Sequence, residues 1–270
     1  MQTPSIPTRD DTVAALIEKS KRARTPLRSA FVQKRRAAGV DATGGPLSTF
    51  VRNGDETGLD LYLAIAAIIS SPEAGGYTTT KPSAVWGRAL GLPDTRHRGA
   101  QVSKVLRRLR DRNLITTGRS GRLTTITLLN EAGTGTDYAR PGANGNRDPY
   151  LQLPEAYWTG PDHWYRTLSL VEKAVLLIAL SLRPRFELPI DWGAKWYGVS
   201  ADSLGAGLSG LRGRGLLHVD TTFKEAPLTA PGYTEVRHYR LLEPFDRRKR
   251  ETASGAAAAA VQRDDRIVHQ

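Results

Sequence analysis

Residues 102–115 read VSKVLRRLRDRNLI and place Lys104, Arg107 and Arg108 within two helical turns. Lysine and arginine side chains carry fixed positive charge and donors only, and a guanidinium matches either the acceptor edge of a guanine or a phosphate. Val102, Val105, Leu106 and Leu109 recur at the spacing of one buried helical face. The opposite face presents Ala100, Lys104, Arg107 and Asp111, flanked by Gln101, Ser103 and Arg108. Lys104 and Arg107 are the expected readers of base edges, with Gln101 and Ser103 in support. Arg96 and Arg98 precede the helix and suit phosphates. Arg119 and Arg122 flank a Ser-Gly turn beyond it, placed to reach a minor groove or its phosphates. A charged helical face alone is more often only solvated, so the weight falls on the elements around it.

Those elements occur twice. Apolar helices are expected over 59–70 and 170–182. Each is followed by a short helix around a Trp-Gly pair, Trp86-Gly87 or Trp192-Gly193, closed by Gly91 or Gly198. A third helix follows, and 102–115 aligns with 204–217 (LGAGLSGLRGRGLL) without gaps. Asn113 and Gly215 fall together where a left-handed cap should end it. Hairpins are expected next, from 115–118 with 123–128, and from 216–222 with 236–242. A repeated order is stronger evidence than either copy alone.

This order, with its x-L-x-x-L-x-x-x-G/N-L-I/L third helix and basic hairpin, resembles the winged helix-turn-helix superfamily over 47–130 and 165–243. The tandem arrangement is similar to that of actinobacterial tandem winged-helix DNA-binding proteins and of plasmid replication initiators. The resemblance implies a mainly α fold with small β-hairpins (α+β), a third helix in the major groove and a wing near the minor groove. The expected division is a basic helical N-terminal arm (1–46, helical over 12–38 and broken at Pro26), a first winged-helix domain (47–130), a linker (131–149), a second domain (150–245) and a flexible tail (246–270). In the second unit Ala206, Ser209 and Gly210 stand where the first has Lys104, Arg107 and Arg108. Two explanations are open. The small residues pack this helix closely on another surface, or the helix approaches DNA through Ser200, Ser203 and Ser209, helped by Arg212 and Arg214.

Composition agrees with a polyanion partner. The net charge is +12, and residues 58–130 hold 11 basic against 4 acidic side chains. There is no cysteine, which excludes disulfides, cysteine zinc sites and thiol catalysis. The histidines His97, His163, His218, His238 and His269 show no metal spacing. Gly205-Ala206-Gly207-Leu208-Ser209-Gly210 matches a dinucleotide fingerprint in letters, but its apolar spacing is helical and no buried strand leads into it. No catalytic constellation or cofactor motif emerges, so no enzyme is expected. The aromatic group Tyr150, Tyr157, Trp158, Trp164 and Tyr165 is expected to pack an extension onto the second core. The start of the chain lacks an apolar secretory core and no run is long enough to span a bilayer. The expected partner is double-stranded DNA, in a bacterial cytoplasm and nucleoid, with a homodimer open. The expected role is a sequence-specific transcriptional regulator. A replication initiator is the alternative, and a protein-interaction or architectural protein is the reading of another class.

Overall fold

Leu59, Leu61, Tyr62, Leu63 and Ile65 are all buried, although they point to different sides of one helix. A helix apolar all round must be enclosed by protein. The computed structural model describes residues 5–34, 42–69, 76–143 and 148–246 and shows what encloses it. The chain opens with α1 (Arg9–Glu18), β1 (Arg24–Arg28), a 3-10 turn (Ser29–Phe31), β2 (Gln33–Lys34) and β3 (Thr43–Gly44). A first unit follows: α2 (Leu47–Arg52), the buried α3 (Glu56–Ile68), β4 (Thr78–Lys81), α4 (Ser83–Ala89), α5 (Arg98–Asp111), β5 (Ile115–Ser120) and β6 (Leu123–Leu128). Then come β7 (Tyr150–Pro154), α6 (Ala156–Thr159) and α7 (Trp164–Thr167). The second unit holds α8 (Leu170–Ser181), β8 (Phe186–Glu187), a 3-10 turn (Ile190–Trp192), α9 (Gly193–Tyr197), α10 (Ala201–Gly213), β9 (Leu217–Glu225) and β10 (Tyr233–Leu241).

The fold mixes helices with small antiparallel sheets. The sheet orders are β4-β6-β5 and β8-β10-β9, so in both units the first strand pairs with the last. The expected punctuation is present in both. Gly91 and Gly198 have φ +67° and +64°, and Asn113 and Gly215 have φ +55° and +71°. Glycine carries no Cβ to clash in that left-handed region, and asparagine tolerates it.

Two expectations need correction. The basic stretch 12–38 is not one helix. Among its described residues it is α-helical only in α1, and Pro26 lies inside β1, which pairs with β7 in the register Arg24↔Pro154 to Arg28↔Tyr150. The reason is long-range pairing. The Arg28 side chain is 5% exposed and binds Glu131, Asp148 and the Ala139 carbonyl oxygen. The same contacts anchor the stretch expected as a linker at both ends, where Glu131 is 1% exposed and Asp148 binds Arg28. The hairpin of the second unit is longer than expected, with nine-residue strands. The cluster Arg247–Arg250 and the rest of the tail lie outside the described residues.

The two units share one continuous apolar core. Tyr157, Trp158, Trp164 and Tyr165 are buried as expected, while Tyr150 is 36% exposed. Close backbone packing joins the units. A Cβ on Gly44 would lie 2.5 Å from the Tyr197 carbonyl oxygen, and one on Gly198 would lie 2.8 Å from Cβ of Ser48. At the joint, Lys173 of α8 is 1% exposed, and its Nζ donates at 2.7 Å to both Glu56 and Asp60 of α3. Burial pushes the Asp60 carboxyl up to about 6, against the lowering effect of Lys173.

Replacing Lys173 with methionine roughly keeps the volume and leaves the buried Asp60 with only Arg9, at 3.8 Å, as a cationic partner. The expected loss is about 3–5 kcal/mol in urea unfolding, the range for a broken buried pair. A loss within experimental error would show the joint to be dispensable. The Asp60 carboxyl should titrate near pH 6 by NMR. Its folded value exceeds the ordinary 3.8, so the folded state binds this proton more tightly. Its contribution to stability is therefore full below pH 4 and is lost as pH rises through about 6. A midpoint at or below the ordinary value would contradict this.

Candidate nucleic-acid interface

The third helix of the first unit is positioned from its C-terminal end. Arg112, its C-cap residue, donates at 2.5 Å to Asp55, the N-cap residue of α3. Arg108 donates to the same carboxylate at 2.8 and 3.0 Å. Asp55 in turn accepts from the Gly58 amide at 3.0 Å. The Arg112 guanidinium also lies 4.2 Å from the centre of the Phe50 ring. Burial raises the Asp55 carboxyl, but the hydrogen bonds from Arg108 and Arg112 outweigh it and hold it below the ordinary value.

The second unit repeats the device. Arg214 aligns with Arg112 and caps α10, and its Nε donates at 2.7 Å to Glu172 in the first turn of α8. Glu172 also closes a capping box with Ser169. Burial raises this carboxyl too, and the bond from Arg214 leads those that bring it below the ordinary glutamate value.

The same carboxylate explains a glycine. A Cβ on Gly210 would lie 2.4 Å from Glu172 Oε1, and one on Gly207 would lie 2.4 Å from Val175 Cγ2. Gly207 and Gly210 let α8 approach α10 within the chain itself, while Ala206 and Ser209 stay exposed. The glycines of the apparent dinucleotide fingerprint are helical.

With α5 fixed in this way, its outer face is what the sequence implied, with two exceptions. Gln101, Lys104 and Arg107 are exposed. Among the described residues neither Lys104 nor Arg107 has a carboxylate partner. Ser103 is exposed and donates to the Gly99 carbonyl oxygen at 2.9 Å. Arg108 is the first exception, since its guanidinium is committed to Asp55. Arg98 is the second. Its side chain is 12% exposed, pairs with Asp94 at 2.9 Å and donates to the Pro93 carbonyl oxygen. Arg96 is exposed and donates to the His97 ring at 3.1 Å.

The hairpin extends this face. Ser120 pairs with Leu123 across the two-residue turn Gly121-Arg122, where Gly121 has φ +59°. A positive φ at the first turn position fits the twist of a tight hairpin. Arg119 and Arg122 are exposed there. Ser103, Arg107, Arg110, Thr117 and Arg119 line an open groove of about 380 Å³ between α5 and the hairpin. Arg110 was not among the expected residues. It donates to Thr117 Oγ1 at 3.2 Å. Its signal was in the sequence, because it aligns with Arg212.

The second unit has the corresponding groove, of about 310 Å³, lined by Gly205, Ser209, Arg212, Thr221 and Arg237 among others. Its chemistry is muted. Arg237 pairs with Glu235 at 2.7 Å. Ser200 is the N-cap of α10, and it accepts from the Ser203 amide at 3.2 Å and bonds the Ser203 hydroxyl at 2.9 Å. Both serines serve the cap. Ser209 and Arg212 are exposed. The far end of this hairpin is apolar: Phe223, Leu228 and Tyr233 are 67%, 102% and 49% exposed.

No protein-family model matches the chain, and no curated protein is significantly similar to it. Among the described residues no group of histidine and carboxylate side chains could hold a metal ion, and no helix is long and apolar enough to cross a membrane.

The two kinds of glycine in α10 should respond in opposite ways. Gly213 has open space around its missing Cβ. Gly213→Ala is expected to stabilise the chain by up to about 1 kcal/mol through helix propensity. Gly210→Ala gains the same propensity but drives a methyl into Glu172, and is expected to destabilise. Urea midpoints that move in the same direction for both would refute the packing argument.

Proposed function

We propose that this chain is a sequence-specific double-stranded DNA-binding protein built from two winged-helix units in tandem, acting as a bacterial transcriptional regulator. In this reading α5 enters the major groove and the β5–β6 hairpin lies on the flanking backbone or minor groove. The observation that carries it is the pairing state of the cations. Arg28, Arg98, Arg108 and Arg112 are held by carboxylates, whereas Lys104 and Arg107 stand exposed on a helix backed by a hairpin bearing Arg119 and Arg122. A charge held by a carboxylate has little left for a phosphate, and one in solvent is available to exchange its counterions for DNA.

The sheet order repeated in both units, with a groove lined by the third helix and the hairpin in each, supports the winged-helix reading. The second unit is assigned a weaker DNA role. Ser209 and Arg212 remain exposed in its groove, but the alignment has removed its counterparts of Lys104 and Arg107. The exposed tip of its hairpin favours a protein-contact role for this unit alone. An origin-binding initiator is the other DNA reading, distinguished by protection of tandem repeats rather than of a promoter.

Lys104→Ala combined with Arg107→Ala should weaken duplex binding by about tenfold or more, with a shallower salt dependence and unchanged folding. Arg108→Ala should lower stability more than it alters the salt slope. Fluorescence anisotropy across a salt series, after selection of a target from genomic fragments, makes the measurement. Equal duplex affinity in the double variant would remove α5 from the interface.

A further inference from the structure

Strand β9 is the edge of its sheet, in the order β8-β10-β9, and among the described residues no strand pairs with its outer side. It is nine residues long, and every residue from Asp220 to Glu225 is exposed. The backbone bonds fix what that edge offers. The Ala226 amide donates to the Gly232 carbonyl oxygen at 2.9 Å, and the Leu242 amide to that of Leu216 at 2.9 Å. The register between these two bonds runs without a bulge, so the even-numbered residues of β9 are the ones bonded to β10. The N–H and C=O groups of Val219, Thr221, Phe223 and Glu225 therefore point outward. A long free edge is a template for another strand, and proteins commonly guard it by shortness or charge. The first unit follows that rule, because its edge strand β5 has six residues and ends in Gly118-Arg119-Ser120.

The side chains of β9 point to its partner. Asp220 and Lys224 share one face of the strand, evenly placed on either side of Thr222. Antiparallel pairing with a second β9 about a two-fold axis at Thr222 sets each Asp220 opposite Lys224 of the other copy. The parity is right for this register. Outward-pointing Thr221 falls opposite Phe223 and Val219 opposite Glu225, so these bond. Asp220 and Lys224 then form the closer, non-bonded pairs, with Cα atoms about 4.5 Å apart, where opposite charges meet. Asp220 accepts from His218 Nε2 at 2.8 Å, and this bond holds its carboxyl below the ordinary value. Among the described residues Lys224 has no carboxylate partner. An axis at Thr221 instead sets Lys224 opposite His218 and Asp220 opposite Thr222, and makes no charge pair. On the other face Phe223 is 67% exposed and meets Tyr233 edge-on at 5.1 Å. In the register centred on Thr222 it lies diagonal to its own copy, within reach of an aromatic side chain.

We propose that β9 is a homodimer interface, joining two copies of this chain edge to edge about a two-fold axis at Thr222. The pairing makes one continuous sheet of two three-stranded ones and satisfies the outward backbone groups. Charges that keep a foreign strand away select the strand's own copy. The proposal names the partner for the protein-contact role given to the second unit and rests on that part of the reading alone. One strand pair buries less than the roughly 1,200 Å² of stable interfaces, so the dimer is weak and concentration-dependent.

Sedimentation velocity of the full chain over a concentration series tests the proposal. A monomer–dimer equilibrium is expected for the wild type. Lys224→Glu sets two acids against each other on both sides of the axis and should weaken the dimer by about tenfold or more. Asp220→Lys combined with Lys224→Asp exchanges the charges and should restore it. The chain has no cysteine, so Thr222→Cys should give a disulfide-linked dimer on mild oxidation. Thr221→Cys should link far less, because only position 222 faces itself. Melting temperatures of the variants should stay near that of the wild type. Affinity for a duplex with a single site should be unchanged in Lys224→Glu, which separates failure of the dimer from failure of the DNA reading. A wild type that stays monomeric throughout overturns the proposal, as does equal dimerisation by Lys224→Glu. Faster linking from 221 than from 222 refutes the register and its charge pair. A monomeric wild type whose duplex affinity falls in Lys224→Glu makes the ribbon a DNA contact and refutes the second copy as its partner.

Discussion

A carboxylate at the start of the apolar helix of each unit, α3 or α8, has to be neutralised, and an arginine at the end of α5 or α10 does it. Asp55 with Arg112, and Glu172 with Arg214, are the same solution reached with different acids. A buried carboxylate without a partner is costly, so the pair fixes where the third helix ends relative to the apolar one. The glycines around it follow. Gly58 leaves room for Asp55, and Gly210 leaves room for Glu172. Arg108 joins the first pair, and its counterpart in the second unit is Gly210 itself. One constraint thus decides which side chains of the third helix are structural and which are left outside.

The second constraint ties the units together. Lys173 reaches from one buried helix to two acids on the other, and the core runs through both without a break. The N-terminal segment adds a strand to the approach of the second unit. The grooves beside α5 and α10 therefore belong to one body, with the free cations on the first and a muted, partly apolar surface on the second. That asymmetry gives a chain with two similar folds a single dominant cationic face.

What was legible in the sequence was local. The apolar helices, the left-handed caps at Gly91, Asn113, Gly198 and Gly215, and the exposed positions of Lys104 and Arg107 follow from spacing and residue type within a few turns. What was not legible depends on distant partners. Arg28 looked like one charge among many in a basic stretch, yet its acids lie 103 and 120 residues away. Arg108 looked like part of the reading face because Asp55 is 53 residues upstream. The small residues of α10 left close packing and an approach to DNA both open until α8 was seen to fill the place beside Gly207 and Gly210. The gap-free alignment held one more clue, since arginines recur at 110 and 212 and at 112 and 214.

The central claim is that α5 faces DNA, and proximity tests it most directly. A photo-crosslinking residue at Gln101 leaves every cation in place and lies on the exposed face of α5. The same residue at Asp162, exposed just before α7, is the control. Crosslinking of a bound duplex from position 101, and none above background from 162, is the predicted result. Equal crosslinking from both positions, or none from 101 under conditions where the duplex binds, would contradict it.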